Sequence, residues 1–114
     1  MYYGWDGSRI SVSEWVARMR LDHHVGSTLV GSKRVGGKHQ SNSLWVSTVY
    51  LGIDHGFEGN PLIFETMIFG GDFEDQYCER YATLGEAIEG HQRAVKFAKR
   101  LRRRLWWRHL MGIS

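Results

Sequence analysis

Leu44-Trp45-Val46-Ser47-Thr48-Val49-Tyr50-Leu51-Gly52-Ile53 is followed, after Asp54-His55-Gly56-Phe57-Glu58-Gly59-Asn60-Pro61, by Leu62-Ile63-Phe64-Glu65-Thr66-Met67-Ile68-Phe69. Both apolar stretches are rich in β-branched and aromatic residues and lack a 3.6-residue repeat, which predicts strands. The segment between them is turn chemistry throughout, so the pair reads as an antiparallel hairpin with a long loop. Residues 44–53 are expected to be the central strand, buried on much of both sides. Thr28-Leu29-Val30 reads as a further strand before it, and Tyr77 to Tyr81 as a short one after Gly70-Gly71 and an acidic loop. Between the first two lies 31–43, whose glycines and polar residues read as a basic loop or long hairpin tip.

Two helices flank these strands. Ser11-Val12-Ser13-Glu14 has the S-x-x-E form of a capping box, with Ile10 and Trp15 placed as a hydrophobic staple, and opens a short helix fading near Asp22. Thr83-Leu84-Gly85-Glu86 repeats the signature ahead of the longest helical pattern. Ala87, His91, Ala94, Ala98, Leu101 and Leu105 recur there at helical spacing, with Ile88 and Val95 at the edge. The expected architecture is α+β: a small antiparallel sheet of three or four strands, the long C-terminal helix packed across one face and the short N-terminal helix at the edge. Residues 1–95 read as a single core domain and 96–114 as a basic, Trp-rich helical extension.

With 114 residues, 42% of them hydrophobic and 24% charged, the chain is sized for one compact domain without a separate cofactor domain. No apolar run approaches the ~20 residues of a membrane-spanning helix, and the N-terminus lacks a basic region followed by an apolar one. The reading is a protein neither secreted nor membrane-spanning. Cys78 is the sole cysteine, which rules out an intrachain disulfide and a Cys-based zinc site and fits a reducing cytoplasm.

The net charge of +3 is a remainder of opposed segments. Residues 54–89 carry nine acids against Arg80, and residues 90–114 carry eight bases and no acid. At about 100° per residue, Arg93, Lys96, Lys99, Arg100, Arg103 and Arg104 share one arc opposite the apolar stripe, while Arg102 and Arg108 intrude near the apolar side. Trp106 and Trp107 lie within the same basic stretch. One reading lays this basic helix against an acidic surface of its own domain; the other makes Arg93, Lys96, Lys99, Arg100, Arg103, Arg104, Trp106, Trp107 and Arg108 a partner-binding surface. For the latter a host protein is the first choice, anchored by aromatic and arginine side chains. Nucleic acid, with Lys33, Arg34 and Lys38 adding to the footprint, or an anionic membrane surface would use the same residues. Phe97 to Leu110 can also pair two copies into a homodimer.

Catalytic signals are sparse. His55, Glu65 and His91 offer two imidazoles and a carboxylate, enough for a divalent transition metal with one position open to water, and would make a metal-assisted hydrolase. Their spacing is not diagnostic: a Glu65 held by hydrogen bonds, a His91 packed between helix and sheet, and an Asp54-His55 that sets a turn are structural alternatives. Cys78 has no local group to lower its pKa, and Glu79 opposes a thiolate. The glycines at 31, 36 and 37 form no phosphate-binding loop, and no cofactor is expected.

Val46-Ser47-Thr48-Val49, Leu51-Gly52, Asp54-His55, Pro61-Leu62-Ile63-Phe64-Glu65-Thr66-Met67, Glu79-Arg80-Tyr81, Glu86-Ala87 and Gly90-His91, with Gly7, Ile10 and Glu14-Trp15 before them, form a long pattern over most of residues 2–95. In it the chain resembles a family of small proteins encoded by actinobacterial phages and related prophages. The resemblance brings no activity with it. It implies a phage-encoded accessory or host-directed product acting in the cytoplasm of an infected cell. The basic stretch at 31–43 and the Arg/Trp-rich segment beyond about 96 depart from the pattern, so a role resting on them is particular to this chain.

Overall fold

A computed structural model describes residues 1–31, 34–35, 38–39, 43–53, 59–70 and 77–112. In chain order its elements are β1 (Tyr2–Tyr3), β2 (Arg9–Ile10), α1 (Val12–Met19), β3 (His24–Val30), β4 (Arg34–Val35), β5 (Lys38–His39), β6 (Leu44–Tyr50), β7 (Phe64–Phe69), β8 (Cys78–Tyr81) and α2 (Leu84–Leu110). The main sheet is four-stranded and antiparallel, in the order β3-β6-β7-β8, with α2 packed across one face. The α+β architecture expected from the sequence is the one observed. The strand pairs β1-β2 and β4-β5 form two-stranded sheets of their own, and the first of these carried no sequence signal beyond two tyrosines.

The expectation that residues 44–53 are buried on both sides does not hold. Along β6, Leu44, Val46, Thr48 and Tyr50 are buried, whereas Trp45 is exposed and Ser47 and Val49 are half-buried. This is the period-2 pattern of a strand with one covered face, and Phe64, Thr66 and Ile68 repeat it on β7. The strand also ends at Tyr50, three residues early, where Gly52 takes φ +69° against the Tyr50 ring and Ile53 bridges to Tyr2.

Both helices open with the caps foreseen. Ser11 Oγ accepts from Glu14 N at 3.2 Å, and Thr83 Oγ1 accepts from Glu86 N at 3.1 Å while donating to the Glu86 carboxylate at 3.0 Å. On α1, Trp15 donates its indole N–H to Leu51 O at 2.8 Å and lies 4.8 Å from the Tyr2 ring, which ties the short helix to the sheet's end. On α2, Ala87, Gly90, Ala94 and Ala98 face the strands, and their small size lets the helix backbone approach closely. A Cβ at Gly90 would collide with the Tyr81 ring. Because Ala98 is fully buried and Leu101 packs on the core, the helix's contact with the sheet runs past residue 95. The division at 95/96 therefore does not mark the limit of the core; one unbroken helix crosses it.

Two apolar clusters share the covered face. Val30, Leu44, Val46, Ile68, Ala94 and Ala98 form one, and Tyr50, Ile63, Phe64, Tyr81 and Ala87 the other. Thr48, Thr66 and His91 fall between them in the order of β6, β7 and α2. The core thus reads apolar, polar, apolar along three elements in register.

Candidate functional site

The first candidate surface is built by the cap and the alanine stripe. Once Thr83 sets the start of α2 and Ala87, Ala94 and Ala98 set its rotation, helical geometry turns Lys96, Lys99, Arg100, Arg103 and Arg104 away from the sheet. All five are exposed. Trp107 falls inside the same arc, between Arg100 and Arg103 on the helical projection, and is 57% exposed. From residue 96 to 107 the surface runs about 16 Å along the axis. Trp106 and Arg108 belong to α2, but their side chains lie outside the described residues.

Of the six cations assigned to the arc, Arg93 alone pairs with an acid among the described residues, meeting Glu79 of β8 at 2.9 Å. Burial pushes the Glu79 carboxyl upward, but its bonds from Arg93 and from the Tyr77 hydroxyl, 3.0 Å away, outweigh that and hold it below the usual carboxylate range. Tyr77 is correspondingly pushed up to about 12, by burial first and then by Glu79. The reading in which the basic helix lies against its own acidic segment thus describes Arg93 and leaves the other five cations turned to solvent. Arg102 sits on the apolar side as the spacing indicated, its guanidinium over Gly31.

The second candidate, a metal site of His55, Glu65 and His91, is not assembled. Glu65 lies at an outward position of β7, pairs across the strands with Val49 and Arg80, and accepts from Arg80 Nε at 2.8 Å. His91 lies under α2 on the opposite face of the sheet, so period-2 alternation separates the two ligands by the sheet itself. His55 falls outside the described residues. No cluster of three potential metal ligands occurs among the described residues. Cys78 shares the outward face with Glu65, and burial followed by the nearby carboxylate raises its thiol pKa, the opposite of an activated nucleophile.

His91 packs between helix and sheet, the structural alternative the sequence left open, with partners the sequence did not reveal. Its Nδ1 is 2.7 Å from Thr48 Oγ1 and its Nε2 is 2.9 Å from Thr28 Oγ1. Thr48 Oγ1 is in turn 2.6 Å from Thr66 Oγ1, which accepts from the Tyr81 hydroxyl at 3.1 Å. With Tyr81 as donor, one consistent order runs Tyr81 to Thr66 to Thr48 to His91 Nδ1, leaving the His91 Nε2–H to donate to Thr28. That order requires a neutral imidazole, and burial does lower the His91 pKa. Gly26 makes room for the ring: a Cβ there would stand 2.9 Å from Nε2. The signal available in the sequence was Thr48 and Thr66 at inward positions of neighbouring strands.

The chain matches no protein-family model, no curated protein and no solved structure.

Proposed function

We propose that the chain is a non-enzymatic binding protein whose α+β core is a scaffold and whose cationic α2 face docks on the acidic surface of a partner protein. The observation that carries this reading is the grouping of Lys96, Lys99, Arg100, Arg103 and Arg104, none paired with an acid among the described residues, around the exposed Trp107. Exposed charge pairs contribute only about 0.2–1 kcal/mol each, so the cations set orientation and association rate. A tryptophan within them supplies a desolvated anchor of the kind that dominates interfaces. The separation of Glu65 from His91 by the sheet speaks against a hydrolase built on those residues. The resemblance to phage and prophage proteins adds that the partner belongs to an infected bacterial cell and that binding takes place in its cytoplasm.

Nucleic acid is the second reading, because arginines take phosphates and Trp107 can stack on a base. The test is capture of partners from host lysate by the tagged protein, with and without nuclease. A specific protein that survives nuclease supports the reading; nucleic acid and companions that vanish with nuclease overturn it in favour of the second. Sedimentation with anionic liposomes that depends on residues 102–114 would replace both with a membrane surface.

A further inference from the structure

The face of the sheet opposite α2 carries three cross-strand rows. Leu29, Trp45 and Phe69 form one, Ser27, Ser47, Met67 and Cys78 the next, and His24, Val49, Glu65 and Arg80 the third. No described helix covers them. Trp45 is 44% and Phe69 50% exposed, although the Trp45 indole N–H is satisfied by Ser27 Oγ at 2.9 Å. The aromatic rings are thus held by the ladder and turned outward with their polar atom already bonded, which leaves them only apolar surface to offer.

We propose that this open face is a self-association surface on which a second copy of the chain packs sheet to sheet. Charge selects the occupant. Glu65 and Arg80, 2.8 Å apart, cancel each other, so the face has no field to draw a polyanion or an acidic segment, unlike the outer side of α2. A two-fold axis parallel to the strands and between β6 and β7 sets Trp45 of each copy on Phe69 of the other and leaves each Glu65–Arg80 pair neutralised within its own chain, which is self-complementary. The same arrangement places the two cationic helices on opposite outer layers, on the order of 30 Å apart, beyond a Debye length of about 8 Å at physiological salt. The net charge of +3 per copy therefore does not oppose pairing.

Area sets the strength. Four strands about 4.8 Å apart and six residues at about 3.3 Å give a footprint of roughly 380 Å² per copy before side-chain relief is counted. Trp45 and Phe69 add the most relief, since aromatic side chains present about 150–250 Å² each. The total falls at or below the lower limit of about 1,200 Å² for stable interfaces, the size class of weak and transient contacts, so the dimer is reversible.

Sedimentation equilibrium of the full chain from about 5 to about 500 µM tests this. The expected result is a mass rising with concentration from 13.2 kDa toward twice that value, little changed by salt. Phe69→Lys and, independently, Trp45→Lys should hold the mass at the monomer value with an unaltered circular dichroism spectrum, while Arg103→Glu/Arg104→Glu should leave association intact. A monomer at every concentration overturns the proposal. So does association that survives both open-face variants, or that is lost in the arginine variant, which would place the contact on α2.

Discussion

Replacing Thr48 by valine keeps the shape of a fully buried side chain and removes only its hydroxyl, which bridges Thr66 Oγ1 at 2.6 Å and His91 Nδ1 at 2.7 Å. No cavity is created, so the cost is polar. Two hydrogen bonds of about 0.5–1.5 kcal/mol each are lost, and the imidazole nitrogen left without its partner adds a desolvation penalty of about 1–3 kcal/mol. Thr66 keeps its bond from Tyr81. The sum is a destabilisation of about 2–6 kcal/mol. For 114 residues, at about 2.1 cal/mol/K per residue, that lowers Tm by about 8–25 °C. Urea and thermal melts at neutral pH measure it, with Thr48→Ser, which retains the hydroxyl, expected to lose clearly less. A Thr48→Val loss below about 0.5 kcal/mol, or one equal to that of the serine variant, would refute the polar chain as a stabilising element of the core.

Further expectations follow from the same contacts. Because burial holds the folded His91 pKa below its ordinary 6.5, the stability from the neutral imidazole is complete above about that pH and is lost as pH falls through it toward the folded value. Urea midpoints should therefore decline from pH 7.5 to 5.5 more steeply in the wild type than in His91→Gln; equal slopes would remove His91 as the titrating group. Gly90→Ala drives a methyl into the Tyr81 ring and should cost about 1–3 kcal/mol by thermal melt, a deficit that adding Tyr81→Phe does not relieve because the ring carbons stand as close to the new methyl as the hydroxyl does. Thr83→Ala removes the acceptor for Glu86 N and should cost about 1 kcal/mol, most of it restored by Thr83→Ser.

The parts of the fold legible in the sequence were those with local causes. Ser11 and Thr83 announce helices through their own hydroxyls and the glutamates three residues on, and Ala87, Ala94 and Ala98 mark the buried face of α2 by spacing alone. The cationic arc followed from the same spacing. What stayed hidden depended on other strands. A stretch from Leu62 to Phe69 that is apolar on both sides of Glu65 and Thr66 does not tell which face Glu65 takes, because alternation needs one anchored residue, and the anchor is Thr66 meeting Thr48 across the pair. His91 stayed open between a metal ligand and a packed core residue for the same reason: the groups that occupy its two nitrogens, Thr28 and Thr48, are 63 and 43 residues away in the chain. The open face was obscured because Trp45, Val49, Met67 and Phe69 are as apolar as the buried side of the strands, which made one-sided burial look two-sided.

The central claim is that the outward face of α2 binds the partner, and a paired capture tests it most directly. Tagged wild type and a Lys99→Glu/Arg103→Glu variant with an unchanged melting temperature are exposed to the same nuclease-treated host lysate. The account predicts one protein retained by the wild type and lost from the variant, with Trp107→Ala weakening retention and Phe69→Lys not reducing it beyond the loss of bivalency. Equal retention by wild type and charge-reversed chain would contradict it.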